Sequence, residues 1–163
     1  MGSQQRGAMI VVISCGAKKR TKPSRAIDLY DGSYFKAARN WARSIAPDSR
    51  IYIMSAKYGL IPANKVVQPY NLRMGQAGSV TVDTLRQQAK ALLIDREIAI
   101  VVAGTDYAKM ARQVWADIRT PFAAQPHGVL YPGKSGMGYQ LKAMKHHLGR
   151  LPASPPMQTA DQP

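Results

Sequence analysis

The stretch MIVVISCGAKK, from Met9 to Lys19, decides the fold that we expect for this chain. Its first part, MIVVIS, is a continuous apolar run, which is typical of a buried strand in a parallel sheet. A glycine and two lysines follow at once, so the strand ends there and a loop begins. Because ligands bind beyond the carboxyl ends of strands in open α/β sheets, the same stretch marks a candidate binding edge.

Two more apolar runs, RIYIMS at 50–55 and IAIVVA at 98–103, predict two further strands, and a weaker run at 126–131 predicts a fourth. Apolar residues at three- and four-residue spacings predict the helices that separate these strands. The predicted helices are a short one at 26–30 and longer ones at 33–45, 81–94, 107–118 and 136–148. This alternation predicts a three-layer α/β/α sandwich with a mostly parallel four-stranded sheet and right-handed crossovers.

A length of 163 residues is suited to one domain with a core of its own. We expect a single α/β domain over 9–150, with a disordered N-terminal lead at 1–8 and a proline-rich disordered tail at 151–163. The stretch 56–74 has no strand or helix pattern, and it predicts a long irregular loop. Long loops in compact domains are often functional.

Several classes of protein are excluded or disfavoured by composition. The single cysteine excludes an internal disulfide, and we expect a reduced, cytoplasmic protein. No apolar run approaches the length of a membrane span, so no membrane association is expected. His127, His146 and His147 have no partners at metal-ligand spacing, and we predict neither a metal nor a cofactor.

The charge balance indicates an anionic partner. The chain has 23 Lys and Arg residues against 9 Asp and Glu residues, a formal net charge of +14. Such an excess favours binding to DNA or to a nucleotide. The alternative is a basic protein with a scattered positive surface, and charge alone does not separate a DNA binder from an enzyme that acts on nucleotides.

Three predicted strand ends, SCGAKK, SAKYGL and AGTDY, carry polar side chains that should meet at one edge of the sheet. The residues expected to converge there are Ser14, Lys19, Ser55, Lys57, Tyr58, Asp106 and Tyr107. We expect lysine to neutralise an oxyanion or phosphate at this edge, and tyrosine rings to stack on a base. Asp28 and Asp106 are the carboxylates within reach, and either is a candidate general base. The candidate catalytic residues are therefore Asp28, Asp106 and Lys19.

Each of these residues also has a purely structural interpretation. Cys15 lacks a nearby histidine in the sequence, and a small packed cysteine is more common than a nucleophile. Tyr58 can plug the edge of the sheet instead of stacking with Tyr70 on a base. Asp28 can cap a helix or pair with a lysine, and Ser14 with Cys15 can simply end a strand.

The segments SCGAKK, AIDLYDGSYF, IYIMSAKYGLI, QPYNL, VVAGTDY and GMGYQLKAM occur in this order between 9 and 148. Together they resemble a family of small bacterial and phage domains distantly related to the YaaA peroxide-stress protein. SAKYGL and the CG-x-x-K turn are its specific parts. The resemblance implies an α/β domain, an association with DNA, and a site around Cys15, Gly16, Lys19, Tyr30, Ser55, Ala56, Lys57, Tyr58, Gly59, Tyr70, Gly104 and Tyr107.

The CG-x-x-K turn also looks distantly like the lysine-bearing motif of archaeosine synthases. Three-layer folds of this kind include the uracil-DNA glycosylases, although their water-activating motif is absent from this sequence.

Two functions follow as hypotheses. The first is an enzyme that acts on a nucleobase or nucleotide in DNA, by base modification or by cleavage of the N-glycosidic bond. The alternative is a non-catalytic DNA-binding protein of the YaaA-like type. It would bind through Lys18, Lys19, Arg20, Lys22, Arg25, Lys142 and Lys145. A deep crevice with ordered polar groups favours the enzyme, and a flat basic face favours the binding protein.

Overall fold

A computed structural model of the chain describes residues 8–122 and 137–152. Its strands are β1 (Met9–Ser14), β2 (Ser24–Arg25), β3 (Ile51–Ser55), β4 (Gly59–Pro62), β5 (Val66–Val67), β6 (Ile98–Val102) and β7 (Ile118–Arg119). Its α-helices are α1 (Ala26–Leu29), α2 (Ser33–Ile45), α3 (Val82–Ala91), α4 (Thr105–Arg112) and α5 (Met137–His146), and a 3-10 turn at Asp48–Arg50 precedes β3.

The described strands form a mixed, mostly parallel five-stranded sheet in the order β4-β3-β1-β6-β7. Strand β1 lies at the centre and pairs in parallel with β3 on one side and β6 on the other. Strand β7 continues the parallel arrangement, whereas β4 folds back on β3 as an antiparallel edge. The carboxyl ends of β1, β3 and β6 therefore lie side by side.

Successive residues of β1 enter opposite faces of the sheet, because side chains alternate along a strand. Val11 and Ile13 belong to the core that contains α2 with its fully buried Trp41. Ile10 and Val12 belong to the core on the other face, which contains α3 and the segment after α4. Two cores on the two faces of one sheet confirm the predicted α/β class with helices on both sides.

The sheet has five strands in the described part of the chain, and the prediction of four is wrong in this detail. Strand β4 lies in the stretch 56–74, which the sequence analysis treated as irregular, and β7 has only two residues. Neither strand is long enough to show the alternation of apolar and polar residues by which a strand is predicted from sequence. The helix predicted at 107–118 is shorter, because α4 ends at Arg112 and Ile118 belongs to β7.

Other sequence predictions lie partly or wholly outside the described residues. The predicted fourth strand at 126–131 lies outside them, as do 1–7 of the expected lead and 153–163 of the expected tail. In the described part, none of the helices combines the length and apolar composition needed to cross a membrane.

A small two-stranded ribbon forms a second sheet, separate from the main one. Strand β2 pairs antiparallel with β5, with Ser24 opposite Val67 and Arg25 opposite Val66. The ribbon ties the basic loop after β1 to the long segment after β4. The first of these segments lines the site before it reaches β2, and the second reaches the site after β5.

Candidate functional site

A cavity of about 350 Å³ opens at the carboxyl ends of β1 and β6. Three segments line it: the turn after β1, the segment that follows Tyr70, and the first turn of α4. The lining residues are Cys15, Gly16, Ala17, Lys19, Asn71, Leu72, Arg73, Met74, Gly104, Thr105, Asp106 and Tyr107. This is the edge at which open α/β sheets bind their ligands.

Cys15 and Tyr107 connect two walls of the cavity. The backbone N–H of Cys15 donates to the carbonyl of Met54 at 3.0 Å, which fixes the turn to β3. Its Sγ lies 3.1 Å from the hydroxyl of Tyr107, within hydrogen-bond distance. Burial and this contact raise the pKa of Tyr107 above its ordinary value, so the phenol is protonated at neutral pH.

Beneath the cavity, Ser55 forms the centre of a buried hydrogen-bond network. Its Oγ accepts the backbone N–H groups of Lys57 at 3.1 Å and Tyr58 at 3.0 Å, and it donates to the hydroxyl of Tyr70 at 2.7 Å. The hydroxyl of Tyr70 also lies 2.7 Å from that of Tyr30. Burial is the main cause that raises the pKa values of Tyr30 and Tyr70. The network therefore holds Tyr70 in one orientation below the loop that lines the cavity.

Lys19 is held from both its backbone and its side chain. Its backbone forms an isolated antiparallel bridge with Tyr30. Its Nζ lies 4.3 Å from the centre of the Tyr70 ring, a distance typical of cation–π contacts, and donates to the carbonyl of Ala17 at 3.3 Å. Partial burial lowers the pKa of Lys19, whereas negative charge on Cys15 opposes this shift. In the described ranges, no carboxylate forms an ion pair with Lys19.

The structure brings about half of the predicted site residues to the cavity. Those that line it are Cys15, Gly16, Lys19, Gly104, Asp106 and Tyr107. Ser14, Tyr30, Ser55 and Tyr70 are not among the lining residues, and Ser14, Tyr30 and Ser55 are buried. Lys57 and Tyr58 form the connection between β3 and β4, Gly59 is the first residue of β4, and none of the three lines the cavity.

Asp28 is not brought to the cavity. Its carboxylate forms an ion pair with Arg25, with Nη2 at 2.8 Å and Nε at 2.9 Å from Oδ2. The sequence left open a local cap or a lysine partner for Asp28, and the structure shows an arginine partner instead. Asp106 is the carboxylate that lines the cavity, in the first turn of α4.

The predicted pair of aromatic walls is also absent from the cavity. Tyr58 and Tyr70 pack edge to face with ring centres 5.4 Å apart and planes at 89°. Two rings in this arrangement contact each other and leave no slot for a flat base between them. The tyrosine that lines the cavity is Tyr107.

Sequence reasoning missed one whole wall, formed by 71–74. Arg73 is its charged residue and the only cation between Lys65 and Arg86. Its backbone is fixed in a turn, in which its N–H donates to Oε1 of Gln76 at 2.7 Å and its carbonyl accepts from Gln76 at 3.1 Å. The length of the loop was the available signal, but it did not indicate which of the loop residues faces the site.

Within the described residues, no three His, Cys, Asp or Glu side chains lie together as a metal site. The cavity instead combines a thiol, a phenol, one carboxylate and two cations. These groups can bind an anion and hydrogen-bond a polar ring, and the carboxylate can accept a proton.

The fold and the cavity define an α/β protein with a ligand-sized site at the carboxyl edge of its sheet. The chain belongs to a family of unknown function, DUF6884, whose model matches residues 10–132. No curated protein and no solved structure matches the chain.

Proposed function

We propose that this protein is an enzyme that acts on a nucleobase or nucleotide, with DNA as the polymeric form of its substrate. The observation that carries the proposal is the 350 Å³ cavity at the carboxyl edge of the sheet. Ligand sites range over about 300–1,000 Å³, so this volume suits one nucleotide-sized unit. A protein that only binds the phosphate backbone of DNA does not require such a cavity.

The groups around the cavity have complementary roles in this proposal. Tyr107 offers a ring and a protonated hydroxyl to the base, because its pKa is raised. Lys19 supplies positive charge for a phosphate. Asp106 acts as the general base, since it is the carboxylate that lines the cavity.

The two reaction classes use the same geometry. In cleavage of the N-glycosidic bond, Asp106 takes a proton from water, the water oxygen bonds to C1′ of the sugar, and the base leaves with the bonding electrons. In base modification, Asp106 takes a proton from the nucleophile, the nucleophile bonds to a ring carbon of the base, and the group displaced from that carbon leaves with the bonding electrons. A positioned base of this kind contributes about 10²–10⁴-fold in rate.

The decisive experiment compares Asp106→Asn with Asp83→Asn. Both aspartates are exposed residues in the first turn of a helix, but only Asp106 lines the cavity. Parent and variants are incubated with natural and modified DNAs and with mononucleotides, and released or altered bases are identified by mass spectrometry. We expect Asp106→Asn to lose at least about 100-fold in rate and Asp83→Asn to keep the parental rate.

An unchanged rate in Asp106→Asn removes that residue from the mechanism. The enzyme proposal fails if no DNA or nucleotide is altered by the parent protein.

The second candidate function is DNA binding without catalysis, as the resemblance to YaaA-like proteins implies. The observation in its favour is the exposed loop after β1, where Lys18, Arg20 and Lys22 form no ion pair with any described residue. This candidate predicts DNA binding that weakens steeply as salt is raised, together with no change in the DNA.

A further inference from the structure

We infer that Lys19 and Arg73 form a phosphate clamp at the loop side of the cavity. The inference rests on the proposed function for the identity of the ligand, and it adds the group by which that ligand is held. Both residues line the cavity, from two different segments of the chain. In the part of the chain that the structure describes, neither side chain forms an ion pair with a carboxylate.

The ion pairs of the described residues all lie away from the cavity and leave Lys19 and Arg73 without a carboxylate partner. Asp28, Asp31, Asp48, Asp83, Glu97 and Asp117 each pair with a lysine or arginine away from the cavity. The cavity holds two cations against the single carboxylate of Asp106. Its charge therefore favours an anion, and partial burial of Lys19 reduces the screening of that charge by water.

The clamp is prepared before a ligand arrives. Tyr70 is anchored through its hydroxyl to Ser55, and its ring lies 4.3 Å from Nζ of Lys19. Three residues further on, the turn closed by Gln76 fixes the backbone of Arg73. A site that is already ordered loses less conformational entropy when a ligand binds. This favours the binding of a small anion, which makes few contacts.

The two cations have different chemical roles. An arginine guanidinium donates two parallel hydrogen bonds to a phosphate, whereas a lysine ammonium acts as a point charge. Asp106 stands in the first turn of α4, in a different segment, and repels the phosphate. The ligand is thereby oriented with its phosphate toward Lys19 and Arg73 and a ring N–H donor toward Asp106.

The test measures binding of a deoxynucleoside 5′-monophosphate and of its nucleoside to the parent, Arg73→Ala, Arg73→Lys and Lys90→Ala. Lys90 is an exposed lysine on α3 that does not line the cavity, so it is the control for a general loss of charge. We expect the nucleotide to bind about 10- to 100-fold more tightly than the nucleoside in the parent. Arg73→Ala should lose most of this advantage, Arg73→Lys should keep part of it, and Lys90→Ala should keep all of it.

Two oligonucleotides, one with and one without a 5′-phosphate, distinguish the source of the phosphate. Dependence on the terminal phosphate identifies a monoester, and equal Arg73-dependent binding of both identifies a phosphate within the strand.

The clamp is overturned if nucleoside and nucleotide bind the parent equally, which leaves the proposed function intact. It is also overturned if Lys90→Ala loses as much as Arg73→Ala, because the anion is then adventitious. If the parent binds no nucleoside, nucleotide or strand, the proposed function fails, and inorganic phosphate followed by ³¹P NMR decides the clamp. Binding that Arg73→Ala abolishes supports the clamp, and absence of binding refutes it.

Discussion

At the scale of single residues, Ser55 contributes more to the site than its small side chain suggests. It is fully buried, and its hydroxyl accepts two backbone N–H groups and donates to the phenol oxygen of Tyr70. Tyr70 in turn lies below Lys19 and immediately before the wall that carries Arg73. One hydroxyl outside the cavity therefore anchors the tyrosine that contacts Lys19 and precedes the wall with Arg73.

Ser55→Ala should destabilise the protein by about 2–3 kcal/mol, because it leaves buried donors without their acceptor. Urea denaturation measures this loss against Ser49→Ala, an exposed serine whose replacement should cost less than about 0.5 kcal/mol. A loss in Ser55→Ala no larger than in Ser49→Ala would mean that water replaces the hydroxyl and that the network is not rigid.

The sequence is informative about residues that directly follow a long strand. Lys19 follows β1, and Asp106 and Tyr107 follow β6, so the alternation of strands and helices was enough to predict their convergence. Arg73 was missed because its place depends on the packing of Tyr70 against Tyr30 and Ser55, which are distant in the sequence. Tyr70 also packs edge-on against Tyr58, and stacking of either ring on a base stays a prediction.

At the scale of elements, strands and helices with a clear period were predicted best. The predicted boundaries of β1 and α2 agree with the structure, because a buried apolar run and an amphipathic face are long and local signals. Strand β4 depends instead on a tight connection at Gly59 and on a helix far along the chain. Its Gly59 adopts a φ of +75°, and Gln88 of α3 occupies the space that a Cβ would need.

Gln88 joins β4 to α3 through both ends of its amide. Its Nε2 donates to the carbonyl of Tyr58 at 2.9 Å, and its Oε1 accepts the N–H of Leu60 at 2.8 Å. A Cβ built on Gly59 would lie 2.0 Å from that same Oε1. Substitution at Gly59 therefore displaces the side chain that fixes the edge strand.

Gly59→Ala and Gly78→Ala form a matched pair of variants. Both glycines have positive φ values, +75° and +89°, but nothing lies within 4 Å of a Cβ built on Gly78. We expect Gly78→Ala to cost about 1 kcal/mol for its backbone alone, and Gly59→Ala about 1–3 kcal/mol more for the clash. Thermal and urea denaturation measure both, and equal losses would show that Gln88 moves aside freely.

At the scale of the whole molecule, positive charge is in large excess. The chain carries 23 cationic against 9 acidic side chains, and within the described residues six acidic side chains are already paired. Repulsion between the remaining cations acts over the whole surface, because most of them are exposed. Partly exposed ion pairs, in contrast, contribute little each. Long-range repulsion should therefore outweigh local attraction in the response of this protein to salt.

Raising NaCl from about 0.01 M to about 0.1 M shortens the Debye length from about 30 Å to about 10 Å, which weakens repulsion across the surface. We expect the Tm to rise by several degrees over this range, since about 1 kcal/mol corresponds to about 2–4 °C in a chain of this size. Lys22→Glu, which replaces an exposed cation by an anion, should show a smaller rise because its net charge is lower. A Tm that falls with NaCl would mean that the ion pairs dominate.

Replacing chloride by phosphate at equal ionic strength separates specific binding of phosphate from screening of charge. A further rise in Tm that Arg73→Ala abolishes comes from phosphate bound in the cavity. A further rise that survives in that variant comes from phosphate bound elsewhere on the surface.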